Sequence, residues 1–248
     1  MASPISCFRP GQALCNKSRI PYTAALMKLA IVIPAYNEAT RIAAVVRGAL
    51  SHCPDVFVVV DGSTDGTGDV ARREGARVLE HVENCGAGAA TMTGIEATRR
   101  LGFDTVITLD ADGQHDVSDI PRLLQALDEQ HADLVIGNRF GRKNSIPMIR
   151  RIANGIGNAV TFAVTGIFLP DTQCGFKVFG PKAFAELDLK MSGFEFCTEI
   201  IREAARKRWK IVSVPSKVVY SEYTLAKGQS FASGIQTACK ILLRTFLR

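Results

Sequence analysis

Asp104–Asp116 reads DTVITLDADGQHD, and the fold turns on how this stretch is understood. The apolar run Thr105 to Leu109 predicts a buried strand that stops abruptly at two aspartates one residue apart. Residues i and i+2 at a strand end project to the same side, so Asp110 and Asp112 can converge on one cation or ligand. Ala111 and Gly113 are small and leave room for a bulky group to approach. Two carboxylates beside phosphate oxygens suit Mg²⁺ or Mn²⁺, hard ions that take oxygen ligands and rarely receive a full protein cage. A polar loop after a strand would look much the same, so the rest of the chain has to decide.

Working outward, strands and helices alternate. Leu29 to Pro34 (LAIVIP) is a continuous apolar run ended by proline, and Ile42, Val45, Val46, Ala49 and Leu50 follow at helical spacing. Val56 to Val60 predicts a second strand. The turn Asp61-Gly62-Ser63-Thr64-Asp65 leads into another helix, with Ser63 or Thr64 able to cap it. Residues 76–80 read as a short third strand, 86–100 as a Gly/Ala-rich segment turning helical, Ile120 to Glu129 as a helix and Asp133 to Gly137 as a strand. Such alternation implies an α/β, doubly wound, mostly parallel sheet whose ligands sit beyond the carboxyl ends of the strands. Three of those ends carry acidic groups: Asn37-Glu38, Asp61 and Asp110/Asp112. The position where a dinucleotide fold needs GxGxxG reads PAYNEA, and no GxxxxGK[ST] loop occurs.

With 248 residues and 47% hydrophobic composition, the chain can bury one full core. A net charge of +6 favours anionic partners, and the absence of basic runs or an aromatic-interleaved basic stripe argues against nucleic acid. The seven cysteines are scattered, with no CxxC and no Cys/His cluster, and read as buried thiols of a cytoplasmic protein. Residues 1–26, rich in proline and lacking an apolar core, read as a flexible leader, with Met27-Lys28 a natural start site before the first strand.

Taken in order, VIPAYNEA, VVVDGSTDGT, N-x-G-x-G-A-A, LDADGQH, IGNRF, DTQCGF and FEFCTE resemble the motif series of family 2 glycosyltransferases with the GT-A fold, over about residues 28 to 230. Within the family the chain is most similar to dolichyl- and polyprenyl-phosphate sugar synthases. The resemblance implies a GT-A domain over 27–230, with a Rossmann-like nucleotide-binding half, that moves a sugar from GDP-mannose or a UDP-sugar to a lipid phosphate with inversion. It further implies a nucleotide pocket of Pro34, Tyr36, Glu38 and Asp61, with Asp61 reaching the base and Tyr36 packing on it. Asp110 and Ala111 would line ribose and diphosphate, and Asp112 and Gln114 would hold the Mg²⁺ or Mn²⁺. Arg139 and Arg150 would face the anionic acceptor or leaving group, with Lys177 and Arg151 as further candidates or as plain solvated charge. Catalytic roles fall to Asp110, Asp112, Arg139 and Glu199. Asn37 and Ser63 read as turn-making and capping residues, and His115 as a loop contact, since it has no second histidine or cysteine beside it.

The chemistry follows physically. Cleaving a sugar–diphosphate bond builds negative charge on the leaving nucleotide, which a bound cation stabilises. A lipid phosphate is already anionic and needs positive charge to hold it, whereas a glycan or protein hydroxyl needs a base, for which Glu199 is the nearest motif residue. The chain departs from the family pattern at Val60, Cys174, Lys177, Cys197, Leu225 and Phe231; Lys227 can substitute for one missing charge. These departures bear on the acceptor side, and those at Cys174, Cys197 and Leu225 are the sole support for an inactive sugar-nucleotide-binding scaffold. Two segments carry amphipathic patterns suited to peripheral membrane contact or to core packing: residues 152–170, and a helix over 231–248 with Lys240, Arg244 and Arg248 on one face.

Overall fold

A computed structural model describes residues 27–219. The leader expected over 1–26 and the amphipathic helix expected over 231–248 lie outside the described residues, as do Leu225, Lys227 and Phe231. The described chain alternates as the hydrophobic pattern requires: β1 (Leu29–Ala35), α1 (Ile42–Leu50), β2 (Val56–Asp61), α2 (Thr67–Arg73), β3 (Arg77–His81), α3 (Ala87–Arg100) and β4 (Thr105–Thr108). A short 3₁₀ turn (Val117–Asp119) precedes α4 (Ile120–Glu129) and β5 (Leu134–Asn138). Then come α5 (Met148–Thr165), β6 (Lys177–Phe179), α6 (Pro181–Glu186), α7 (Phe196–Lys207) and β7 (Ile211–Pro215).

Seven strands form one sheet in the order β3-β2-β1-β4-β6-β5-β7. All pairings are parallel except those of β6, which runs antiparallel between β4 and β5. β2, β4 and β5 are buried along their whole lengths, which is why they read as unbroken apolar runs. β3, at the sheet's edge, exposes Arg77 and Glu80. Helix α3 approaches β1 and β2 closely at Gly94, where a Cβ would lie 2.4 Å from Val32 Cγ1 and 3.1 Å from Val59 Cγ2. A larger residue there would push the helix off the sheet.

The chain reverses winding direction between β1 and β4: β1 pairs with β2 on one side and β4 on the other. A crevice outside the carboxyl ends of strands opens at such a switch point. Ala35, Asp61 and Thr108 end the three strands, so the Tyr36–Glu38 turn, the Asp61 turn and the Asp110–Gln114 loop emerge at one edge.

Local chemistry differs from expectation at α2. Ser63 and Thr64 do not cap it. The helix begins at Thr67, and Asp65 Oδ1 accepts from the Thr67 backbone N–H at 3.1 Å. Ser63 Oγ instead accepts from the Asn37 N–H at 2.9 Å, and Asn37 Oδ1 accepts from the Thr64 N–H at 2.9 Å. Asn37 has φ 52°, a conformation that asparagine tolerates better than most residues, so its turn-making role holds. These bonds fasten the β1 turn to the β2 turn.

Candidate active site

The loop after β4 holds the densest charge. The Asp110 carboxylate lies directly over the backbone of Gly175, where an added Cβ would fall 2.1 Å and 2.2 Å from its two oxygens. His115 Nε2 stands 3.2 Å from Asp110 Oδ2, and its ring packs on Phe176 at 5.5 Å. His115 is therefore a loop contact, as expected, and also braces Asp110. Burial works against the charged form of Asp110. The His115 hydrogen bond and the positive charges of His115, Lys177 and Arg139 outweigh it and hold the carboxyl below its ordinary range.

Asp112 behaves oppositely. Burial first, then the adjacent Asp110 carboxylate, push it up to about 6, with Glu38 adding in the same direction. Its Oδ1 accepts the Gln114 backbone N–H at 2.9 Å, which fixes the loop. Three carboxylates from two strand ends thus crowd one spot at the switch point. Crowding of this kind is relieved by a cation, and the all-oxygen set of Asp110, Asp112 and Gln114 fits Mg²⁺ or Mn²⁺. Ala111 is buried beside them.

On the β1 side, Pro34 sits in register with Val59, and Tyr36 presents an exposed ring (46%) after the strand end. Glu38 is buried, and its N–H donates to Thr67 Oγ1 at 2.8 Å. Asp61, also buried, has its carboxylate held from three directions. His81 Nδ1 is 2.7 Å from Oδ1, the Cys85 N–H donates to Oδ1 at 2.8 Å, and the Gly86 N–H donates to Oδ2 at 2.8 Å. No sequence signal singled out His81, because its proximity follows from strand register: Asp61 and His81 are partners on β2 and β3. The expectations of wholly buried thiols and of no Cys/His cluster both require correction. Cys53, Cys174 and Cys197 are buried, but Cys85 is exposed and stands beside His81 and Asp61.

The basic residues are arranged less openly than the motifs suggest. Arg139 makes a two-pronged pair with the fully buried Asp171, Nε to Oδ2 and Nη2 to Oδ1, each 2.8 Å, and its backbone N–H also donates to Asp171 Oδ2 at 3.0 Å. Lys177 is not solvated charge. On β6 it is 0% exposed, its Nζ donates to the Cys174 carbonyl and lies 3.6 Å from Cys197 Sγ, and it sits over the Phe196 ring. Burial, then the Asp171 carboxylate, push the Cys174 thiol up to about 12, so it is neutral. Arg150 is half-buried in the first turn of α5, and Arg151 is exposed beside it. Glu199 lies buried in the first turn of α7. Its Oε2 accepts the N–H groups of Lys190 and Met191 at 3.0 and 2.8 Å, and Arg202 lies 3.3 Å from Oε1. It braces the segment leading into α7.

The profile of the family described as glycosyl transferase family 2 matches residues 30–188. Among curated proteins, the chain is 29% identical over 236 residues to the UDP-N-acetylglucosamine–dolichyl-phosphate N-acetylglucosaminyltransferase of Methanococcus voltae, covering 86% of this chain and 94% of that one. It is 31% identical over 221 residues to the undecaprenyl-phosphate mannosyltransferase of Micrococcus luteus, covering 84% and 88%. Among solved structures, glucosyl-3-phosphoglycerate synthase of Mycobacterium tuberculosis superposes with a TM-score of 0.70 at 19% identity, covering 96% of this chain and 86% of that one, a likeness of fold. With the matched residues running from β1 through the carboxylate loop and Arg139 to α6, the chain belongs to glycosyltransferase family 2.

Proposed function

We propose that the chain transfers a hexose from a nucleotide-diphosphate donor to a polyprenyl or dolichyl phosphate, with inversion and with Mg²⁺ or Mn²⁺ bound at Asp112 and Gln114. The observation that carries the proposal is the convergence of Asp110, Asp112 and Glu38 at the switch point, where burial and then the Asp110 charge push Asp112 up to about 6. Asp112 and Gln114 would hold the cation, which would supply Lewis-acid stabilisation of the charge that develops on the leaving nucleotide. Glucosyl-3-phosphoglycerate synthase of M. tuberculosis, which shares the fold, was crystallised with Mn²⁺, UDP-glucose and phosphoglyceric acid.

The chain's own residues divide the remaining tasks. Pro34, Tyr36, Glu38 and Asp61 receive the nucleotide, with the Tyr36 ring stacking on the base and the fixed Asp61 carboxylate facing it. Asp110, set by His115 and Gly175, and Ala111 align the ribose and diphosphate. Arg139, set by Asp171, and Arg150 supply the positive field for the acceptor phosphate, with Lys177 adding to that field from beneath Asp110. A phosphate nucleophile needs no base, in keeping with a Glu199 carboxylate already engaged by three donors. Glu199 contributes by holding the segment that carries α7.

The acceptor's lipid nature has separate support. Helix α5 leaves Met148, Ile149, Ile152, Ile156 and Phe162 exposed, with exposed Phe168 just beyond its end. Arg151 lies at the start of this apolar surface, as expected of a helix resting on an anionic bilayer. No helix among the described residues is long and apolar enough to cross a membrane, so contact by this part of the chain is peripheral. The deciding assay offers radiolabelled GDP-mannose or UDP-sugars with polyprenyl phosphate and Mn²⁺. Label should enter the organic phase as a glycosyl phospholipid. Transfer only to glycan or protein hydroxyls would reject the lipid acceptor, and no transfer from any donor would favour a binding scaffold.

A further inference from the structure

At the β2–β3 corner, away from the Asp110–Gln114 loop, we infer that Asp61, His81 and Cys85 form a second metal site, selective for a thiophilic divalent cation of the zinc class. A carboxylate oxygen, an imidazole nitrogen and the thiol sulfur of these residues all lie within 4.8 Å of one another. A tetrahedral ion with bonds of about 2.0–2.3 Å sets its ligands about 3.3–3.8 Å apart, so the side chains close by about 1 Å, within the reach of a rotamer adjustment, when it binds.

The backbone builds this arrangement. Strand register sets His81 beside Asp61, and the two backbone donors at Cys85 and Gly86 pin the following loop onto the Asp61 carboxylate, which carries the Cys85 side chain back toward His81. The Gly86 bond takes one lone pair of Asp61 Oδ2 and leaves the other for an ion. Thr93 provides the outer support: its hydroxyl lies 2.9 Å from His81 Nε2. A hydroxyl both donates and accepts. It accepts from Nε2–H when Nδ1 binds a cation, and donates to Nε2 when Nδ1–H bonds Asp61, so the ring keeps its place in either state. Cys85 is exposed and gives the ion a route in, leaving one position for water.

Ligand chemistry separates the two sites. Sulfur and imidazole favour Zn²⁺ or Co²⁺, whereas the all-oxygen loop favours Mg²⁺ or Mn²⁺. Binding displaces the thiol proton to solvent and leaves a thiolate on the ion. Resting on the proposed role of Asp61 in receiving the nucleotide, an ion here draws on the same carboxylate and opposes donor binding.

The test uses the full chain, stripped of metal and titrated with Co²⁺ in excess Mg²⁺, and follows thiolate-to-cobalt charge-transfer absorption. One equivalent should develop the band in the unaltered protein and in Asp112→Asn. Cys85→Ser should abolish it, and His81→Gln should weaken binding at least about tenfold, the cost typical of a lost ligand or its support. A band that never develops, or one that survives in Cys85→Ser, overturns the site. In a second arm, equimolar Zn²⁺ should weaken nucleotide binding in the unaltered protein but not in Cys85→Ser. Equal weakening in both would overturn the antagonism. If neither protein binds nucleotide, the donor reading fails while the cobalt result still judges the metal site.

Discussion

The two halves of the sheet treat charge in opposite ways. On the β1–β4 side, Asp110, Asp112 and Glu38 converge and raise the cost of ionising Asp112. On the β5–α7 side, the conspicuous charges are neutralised inside the fold: Arg139 by Asp171, and Glu199 by two backbone N–H groups and Arg202, while Lys177 is capped by the Cys174 carbonyl. The crowded carboxylates still draw the charge of an outside ion, whereas the tightly paired groups fix the scaffold and set the field of the neighbouring site. Motif residues on the two sides therefore do different work although both belong to one family pattern.

Mutations can break that contrast, beginning with the largest effect. Asp112→Asn should cost about 10³-fold or more in transfer, equivalent to about 4 kcal/mol of transition-state stabilisation, and leave the apo protein at least as stable. Steady-state rates and thermal unfolding of the same preparation check both parts. On the opposite side, Asp171→Ala removes the carboxylate paired with the Arg139 guanidinium, whose side chain is 12% exposed. Breaking a buried pair in this way costs about 3–5 kcal/mol, so denaturant unfolding should show a loss that Asp112→Asn does not.

Gly175→Ala tests the seam between the halves. Its methyl group would collide with the Asp110 carboxylate, and overpacking typically costs about 1–3 kcal/mol. Metal-dependent nucleotide affinity should fall about 10- to 100-fold, measured by calorimetry, with little change in circular dichroism.

The smallest effect is in pH. The Asp112 carboxyl is pushed up to about 6 in the fold, above its ordinary value of 3.8, so the apo fold binds the extra proton between the two. Its contribution to apo stability is present at low pH and declines as pH rises through that window. Metal binding runs the other way: below about pH 6 the ion must displace the proton, and apparent Mn²⁺ affinity should fall by up to about tenfold per pH unit. Asp112→Asn should flatten both dependences.

The sequence makes one side of the molecule far more readable than the other, for physical reasons. β1, β2 and β4 are central or near-central strands covered on both faces, so burial writes continuous apolar runs into them, and their acidic ends follow directly. β6 is three residues long and starts with a lysine, and nothing local says that two flanking strands will bury it. Lys177 consequently reads as a phosphate-binding candidate or as solvated charge, and its complete burial has no local signal. The Arg139–Asp171 pair spans 32 positions and the Asp61–His81 contact depends on register, so neither has a local pattern. Asn37 and the DAD triplet were legible because turn chemistry and strand-end alternation are local. Gly175 was visible within DTQCGF, but its purpose, leaving room for Asp110, emerges only when β4 and the segment before β6 meet.

Thermal unfolding with GDP, UDP and CDP, each with and without Mn²⁺, tests the donor site most directly when run beside Asp112→Asn. One nucleotide at about 100 times its dissociation constant should stabilise the protein by about 2.7 kcal/mol with Mn²⁺, with no comparable shift in its absence or in the variant. A shift of equal size without metal, or one retained by Asp112→Asn, would contradict a cation-bridged diphosphate at Asp110–Gln114.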